Sequence, residues 1–336
     1  MITRARLAGA ATCFPQHSLT TADVEARIAA AGSTYRPRPG LIGTVSGIRV
    51  RHHAPPGTDA SDLAAAASAK LLADQGLEAG DIDLLLFASA SQDMIEPATA
   101  HITAAKLGAR CPVFDVKNAC NSVLNAIQVA DALIATGQHR RILVCTGEMP
   151  SVAIRWQLAD RERFVQAFPG FTLSDSGAAL LVEAATDGTG VFYRAFSADS
   201  RAWDVGTLPG GGTAHPRDDE YSYFRMDGSR LKTAFEGLGR GMLDAALRAT
   251  GTTWDDYAVI CVHQVTASLL DAFVERSGVP ADRLVPTLAE HGNLASATLI
   301  AQFEQAVAHN RCGPGDKIAL IGLAGGVSLG IVLAAL

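Results

Sequence analysis

Asp81-Ile-Asp-Leu-Leu-Leu-Phe-Ala-Ser89 sets two acids ahead of an unbroken apolar run, and the chain repeats the pattern at Asp255-Asp-Tyr-Ala-Val-Ile-Cys-Val-His263. A short run that is apolar at every position has no solvated face, so it reads as a central strand covered on both sides. At nearly equal intervals after these runs come Cys120 and Asn293, each at the head of an Ala-rich stretch of helical character, Cys120–Thr136 and Ala295–His309. Each stretch then feeds a further buried strand, Ile142–Cys145 in one half and Ile318–Ile321 in the other. A duplicated α/β half accounts for all of this. Duplication about a pseudo-twofold axis would place Ser89, Cys120, His263 and Asn293 at equivalent strand ends and helix starts around one site.

The rest of the chain fits the same alternation. Pro97–Leu107, Leu231–Ala249 and Ala267–Ser277 read as further helices, with Gly137 and Gly278 where C-terminal caps belong and Pro280 beyond the second. Strands alternating with helices define an α/β protein. The turn-rich Thr186-Asp-Gly-Thr-Gly190 sets the boundary of the halves, 1–185 and 186–336. Met149–Phe171 and Ala202–Arg225 are irregular and read as cover loops. Pro209-Gly-Gly-Gly212 has no following Lys-Ser/Thr pair, so it is not a phosphate loop. Leu7–Phe14 stops at Pro15, which makes it a first strand rather than a signal peptide. The uncharged C-terminal stretch Ile318–Leu336 is broken by four glycines, including Gly325-Gly326, and reads as two buried strands joined by a glycine turn rather than as a membrane span.

Composition narrows the function classes. With 48% hydrophobic and 18% charged residues, the 336-residue chain can bury a full core and is not disordered. Aromatics are only 6%, so aliphatic side chains fill that core. The net charge of −6 argues against a nucleic-acid partner. The 6 cysteines lack CxxC spacing and point to free thiols in a reducing cytoplasm. His52-His53 stands without further ligands and the other histidines are scattered, so neither a metal nor a redox cofactor is implied.

Three residues could carry chemistry. Cys120 lies in Phe114-Asp-Val-Lys-Asn-Ala-Cys120-Asn-Ser-Val, at a strand-to-helix junction. The positive end of the helix dipole would pull its thiol pKa down from about 8.5 toward neutrality and make a nucleophile. Taken alone, a buried small apolar residue is the favoured reading, the usual fate of a cysteine. His263 closes a buried strand, where α/β proteins keep functional groups, although a satisfied core histidine would sit there as well. Asn293, alone, reads as an ordinary N-cap.

Together, Asn-Ala-Cys120, His263-Gln264-Val and His291-Gly292-Asn293, followed by Gly325-Gly326, resemble the Cys-His-Asn condensing enzymes of the ketoacyl-ACP synthase III family, within the thiolase superfamily. The resemblance runs from Ser46-Gly-Ile-Arg-Val-Arg51 through Thr172-Leu-Ser-Asp-Ser-Gly177 to the C-terminal glycine loop. It implies a duplicated, five-layered α-β-α-β-α thiolase fold, a cytoplasmic homodimer, and ping-pong Claisen chemistry on acyl-CoA or acyl carrier protein thioesters. In that chemistry Cys120 would hold the acyl group, the backbone N–H groups of Cys120 and Gly325 would form the oxyanion hole, and His263 and Asn293 would donate to the enolate oxygen of the second thioester.

Ser89-Ala-Ser-Gln-Asp-Met-Ile-Glu96-Pro-Ala-Thr-Ala is similar to the OleA-type enzymes, which join two acyl chains head to head. The likeness implies that Glu96 reaches the partner subunit's site as the base of a condensation without decarboxylation. Against it stands the reading in which Glu96-Pro97 only starts a helix. Pro39-Gly-Leu-Ile-Gly-Thr-Val45 lacks the Trp and Arg with which housekeeping members grip coenzyme A, and Ser268 replaces a frequent basic residue. Arg155, Arg161 and Arg163 read as a solvated basic run. Two alternatives stay open: a decarboxylative synthase using a malonyl thioester in fatty acid or polyketide biosynthesis, and a non-catalytic thiolase-fold subunit.

Overall fold

The computed structural model describes residues 3–238 and 240–336. Among these, the strands form two principal sheets. The first has five strands in the order Arg4–Cys13, Ser176–Ala185, Arg141–Glu148, Leu84–Ala88 and Val113–Val116. The second runs Gly190–Ala198, Ser328–Ala335, Lys317–Ala324 and Tyr257–Val262. Strand directions match place for place. In each sheet the last strand named in common is parallel to its neighbour, and the two before it are joined antiparallel. The fifth place of the second sheet is marked by a single parallel bridge from Ile260 to Leu284, where the first sheet has Val113–Val116.

The two-residue period of a strand explains the layers. Leu84 and Leu86 point to the middle of the molecule, against Val123, Leu124 and Ile127 of the helix Ser122–Ala135. Leu85 and Phe87 point outward, against Leu63, Leu71 and Leu72 of the helix Ala60–Asp74. In the second sheet Val259 and Cys261 face the middle, where the helix Thr298–Ala308 also packs. Ile260 and Val262 face outward, under the helices Gly241–Thr250 and Ala267–Ser277. The result is the five-layered α-β-α-β-α thiolase sandwich. Both faces of each sheet are covered, which is why the central strands are apolar without alternation; each fully buried leucine contributes about 2 kcal/mol. Packing is close enough to fix single residues: a Cβ on Gly177 would lie 2.0 Å from the Leu63 carbonyl oxygen.

Several sequence-based bounds change. The Cys120 helix begins at Ser122. Ala295–Ala297 forms a 3₁₀ turn before the helix Thr298–Ala308. The long helix expected over Leu231–Ala249 is two helices, Gly228–Leu238 and Gly241–Thr250, and Gly239 lies outside the described residues. Met149–Phe171 contains the helix Arg161–Ala167.

The expected equivalence of Cys120 and Asn293 is also corrected. Ala119 and Ala295 are both in the left-handed region, with φ of 47° and 48°. Ser122 and Thr298 both open the following helix, and each hydroxyl donates back to that alanine's carbonyl. The interval from Ser122 to Thr298 equals that from Arg141 to Lys317, the starts of equivalent strands. The mate of Cys120 is therefore Ser296, and Asn293 sits three residues ahead of it. We propose the division of the halves near residue 185, which the distribution of strands between the two sheets supports.

Candidate active site

Cys120, His263, Asn293 and Gly325 line a single cavity of about 790 Å³. Topology brings them there. Cys120 precedes the helix Ser122–Ala135, and His263 follows the strand Tyr257–Val262. Asn293 precedes the Ala295–Ala297 turn, and Gly325 begins the turn between Lys317–Ala324 and Ser328–Ala335. The segments Met149–Phe171 and Ala202–Arg225 cover the cavity through residues such as Val152, Leu208 and Phe224.

Cys120 follows a residue with positive φ, a strained turn that projects its side chain from the chain path. Behind it, the buried Asn121 donates through Nδ2 to Ser328 Oγ at 2.8 Å and to Ser328 O at 3.1 Å. These bonds tie the Cys120 turn to the Gly325 turn. They require glycine at 322, where a Cβ would lie 2.0 Å from Asn121 Oδ1.

The thiol differs from expectation. Burial, and then the nearby Glu148 carboxylate, push Cys120 up to about 12, although a hydrogen bond from its own backbone opposes this. Cys120 stands before the N-cap Asn121 and not in the first turn, and desolvation outweighs the helix dipole there. At neutral pH Cys120 is a thiol.

His263 is nearly buried, and burial holds its pKa down to about 4, so the imidazole is neutral at pH 7. Its Nδ1 lies 3.2 Å from Thr298 Oγ1, and its buried Nε2 has no partner. Asn293 accepts through Oδ1 from the Ala295 N–H at 3.0 Å, which fixes the amide and leaves Nδ2 as the donating end. Its backbone is clamped to Thr172 O and the Ser174 N–H.

Glu148 escaped the sequence reading because a lone acid in Thr-Gly-Glu-Met-Pro carries no signal of its own. It is fully buried at the end of Arg141–Glu148, on the cavity wall. Its carboxylate accepts from Ala90 N at 3.0 Å, from Ser91 N at 3.3 Å and Ser91 Oγ at 3.0 Å, and from Ser296 N at 3.3 Å and Ser296 Oγ. It therefore joins the loop after Leu84–Ala88 to the turn after Asn293, one from each half. Lys117, also on the wall, donates to Gln92 at 2.7 Å, and burial lowers its pKa.

Glu96 does not line its own chain's cavity. It is exposed beside Met94 and Ile95, themselves 50% and 68% exposed. Nor does it start the helix, which opens at Thr99 with the Thr99 and Ala100 N–H groups bound by Asp115. Of the three arginines only Arg161 is exposed as expected: Arg155 and Arg163 both pair with Glu220, at 2.9 and 3.2 Å, and Arg155 stacks on Tyr223. The pairs hold the two cover segments together. Among the described residues no cluster of His, Cys, Asp or Glu could hold a metal ion, and no helix is long and apolar enough to cross a membrane.

A duplicated five-layer fold with a Cys, a His and an Asn around one cavity defines a condensing enzyme of the thiolase superfamily. Comparison with known families matches residues 114–200 to 3-oxoacyl-[acyl-carrier-protein] synthase III and residues 247–336 to its C-terminal domain. The chain is 31% identical over 339 residues to the beta-ketoacyl-[acyl-carrier-protein] synthase III of Rhodospirillum rubrum, covering 98% of each. It is 29% identical over 330 residues to that of Methylococcus capsulatus, again covering 98% of each. It belongs to the 3-oxoacyl-[acyl-carrier-protein] synthase III family and is an acyltransferase of the beta-ketoacyl synthase type. Its fold matches Xanthomonas campestris OleA with bound lauric acid and lauroyl-CoA, at a TM-score of 0.89 and 24% identity over all of both chains. It also matches the Aquifex aeolicus synthase III, at 0.84 and 22%, over 99% of this chain and 100% of that one.

Proposed function

We propose that the protein joins two acyl thioesters head to head by a Claisen condensation without decarboxylation. Cys120 attacks the first thioester, and the carrier thiol leaves. The N–H groups of Cys120 and Gly325 hold the oxyanion, a device worth about 10²–10³ in rate per donor. The second thioester enters with its carbonyl toward Asn293 and His263. The partner subunit's Glu96 removes its α-proton, and the resulting carbanion attacks the Cys120 acyl carbonyl. A β-keto thioester forms and Cys120 is released. The acyl chains occupy the cavity, whose walls carry leucines, phenylalanines and valines.

The observation that carries this reading is the placement of Glu96. It lies outside its own cavity, on an exposed loop with two large apolar neighbours, where a second copy of the chain can receive it. A homodimer is therefore part of the proposal. The decarboxylative alternative is supported by relatives named beta-ketoacyl-[acyl-carrier-protein] synthase III over 98% of the chain.

One experiment separates them. The protein is incubated with lauroyl-CoA alone while thiol release and product mass are followed. A β-keto product built from two lauroyl units supports the head-to-head reaction. Acylation of Cys120 that stalls until a malonyl thioester is added replaces it with the decarboxylative one.

A further inference from the structure

The loop that leads from the strand Leu84–Ala88 to the helix Thr99–Leu107 carries Glu96, and it is bonded unevenly along its length. Its entry is pinned. Ser89 Oγ donates to Gly147 O at 2.8 Å, and the Ser91 N–H and hydroxyl bind Glu148. Asp93 then meets the start of the helix Ala60–Asp74. It accepts the Ser61 N–H at 3.0 Å through Oδ1 and the Ser61 hydroxyl at 2.5 Å through Oδ2. Ser61 is fully buried, and Lys106 Nζ donates to its oxygen at 2.7 Å. The exit is pinned by the same device, because Asp115 accepts the Thr99 and Ala100 N–H groups at 3.0 and 2.8 Å. A carboxylate on the free N–H groups of a helix start gains both from its charge and from the helix dipole, so each attachment is strong. Between them the Asp93 N–H donates to Thr99 Oγ1 at 3.2 Å and closes a neck. Beyond that neck, residues 94–97 are all exposed and make no hydrogen bond among the described residues.

We infer that Asp93 is a positioning residue: its seat on Ser61 fixes the neck of a short arm, and the arm delivers Glu96 to the partner subunit already in place. This rests on the reading of Glu96 as the partner's base and deepens it. A tip of four residues closed at its neck has little conformational freedom left to lose when a second copy receives it, so little binding energy goes into ordering it. Without the Asp93 carboxylate the neck keeps only its Asp115 side, and the tip can swing. A base displaced by about 1 Å from the α-proton loses on the order of a hundredfold in rate. Acylation of Cys120 makes no use of the arm, so the loss falls on condensation alone.

Hybrid dimers isolated by two affinity tags test this, because each holds one composite site. One chain bears Glu96→Ala and supplies Cys120; the other bears Cys120→Ala and supplies Glu96. Condensation of lauroyl-CoA is followed by product mass, and acylation of Cys120 by intact mass. Asp93→Ala in the chain that supplies Glu96 is expected to slow condensation about ten- to a hundredfold and to leave acylation at the rate of the parent hybrid. The same substitution in the chain that supplies Cys120, whose arm no longer carries a base, is expected to change condensation by less than about twofold. Equal turnover from the two placements overturns the inference: both fast makes Asp93 idle, and both slow makes it a general support of the fold. Where the alanine chain does not assemble, Ser61→Ala removes the hydroxyl half of the seat and is read in the same two placements. It is expected to cost about three- to tenfold in the chain that supplies Glu96, and equal turnover again overturns the inference. A Glu96→Ala homodimer that condenses at the parent rate, or a silent parent hybrid, is a separate failure, which removes Glu96 as the base supplied by the partner and the arm's function with it.

Discussion

Replacing Glu148 by glutamine should weaken the fold and make the Cys120 thiol more reactive at once. Five donors converge on the carboxylate and no acceptor faces it. Glutamine can keep its oxygen at the Oε1 position, where Ala90 N, Ser296 N and Ser296 Oγ meet it. Its amide nitrogen then stands where Oε2 was, 3.3 Å from the Ser91 N–H, and two donors face each other. The part-buried Ser91 N–H keeps only its other acceptor, Ser89 Oγ at 3.0 Å, while the amide repels it and the remaining bonds lose their charge assistance. The sum is about 2–4 kcal/mol, seen as a fall of several degrees in the thermal midpoint. The second effect has the opposite sense. The carboxylate is the charge that pushes the Cys120 thiol up, so its removal favours the thiolate and lowers that pKa. The assay is iodoacetamide alkylation of the Cys120 peptide against pH, with Cys120→Ala as the blank. Glu148→Gln should alkylate faster than the parent at every pH between 7 and 10. A folded variant whose Cys120 alkylates at the parent rate or more slowly would refute the electrostatic link, and an unchanged thermal midpoint would refute the hydrogen-bond accounting.

Other perturbations test other parts of the molecule. Cys120→Ala should abolish the covalent acyl adduct detected by intact mass. Glu96→Ala should leave that adduct intact and stop product formation, and mixing it with Cys120→Ala subunits should restore part of the turnover in hybrid dimers. Asn121→Ala breaks two buried bonds to Ser328, and urea unfolding should show a loss of about 2–3 kcal/mol. His53 and His263 are both held down to about 4 by burial. The unfolded chain takes up their protons near pH 6.5 while the folded one does not, so stability present above that pH is lost as the pH falls from 6.5 toward 4. The urea midpoint should fall between pH 7 and pH 5, and fall less in His53→Phe.

Sequence revealed the parts of this protein whose physics is local and repeated. Leu84–Phe87 and Val259–Val262 are apolar at every position because both sheet faces are covered, and that pattern, met twice, carried the duplication, whereas the five layers came from the family resemblance. Cys120, His263 and Asn293 were found because their types and order are unusual together. What stayed hidden depends on contacts between halves. Glu148 acts through donors at Ala90, Ser91 and Ser296, of which the last belongs to the other half. The elevated Cys120 pKa arises from burial, which no neighbour in sequence reports. The pairing of Cys120 with Ser296 shows the same limit from another side. Spacing alone aligned two conspicuous side chains, whereas the backbone aligned two alanines of positive φ and two helix-opening hydroxyls. That backbone register has a chemical consequence. One turn presents a thiol to the cavity. Its mate ties Ser296 to Glu148, and the hydroxyl two residues further on faces the ring of His263. The duplicated fold thus brings Cys120 from one copy of the turn, and the residues that hold Glu148 and His263 from the other, around a single cavity.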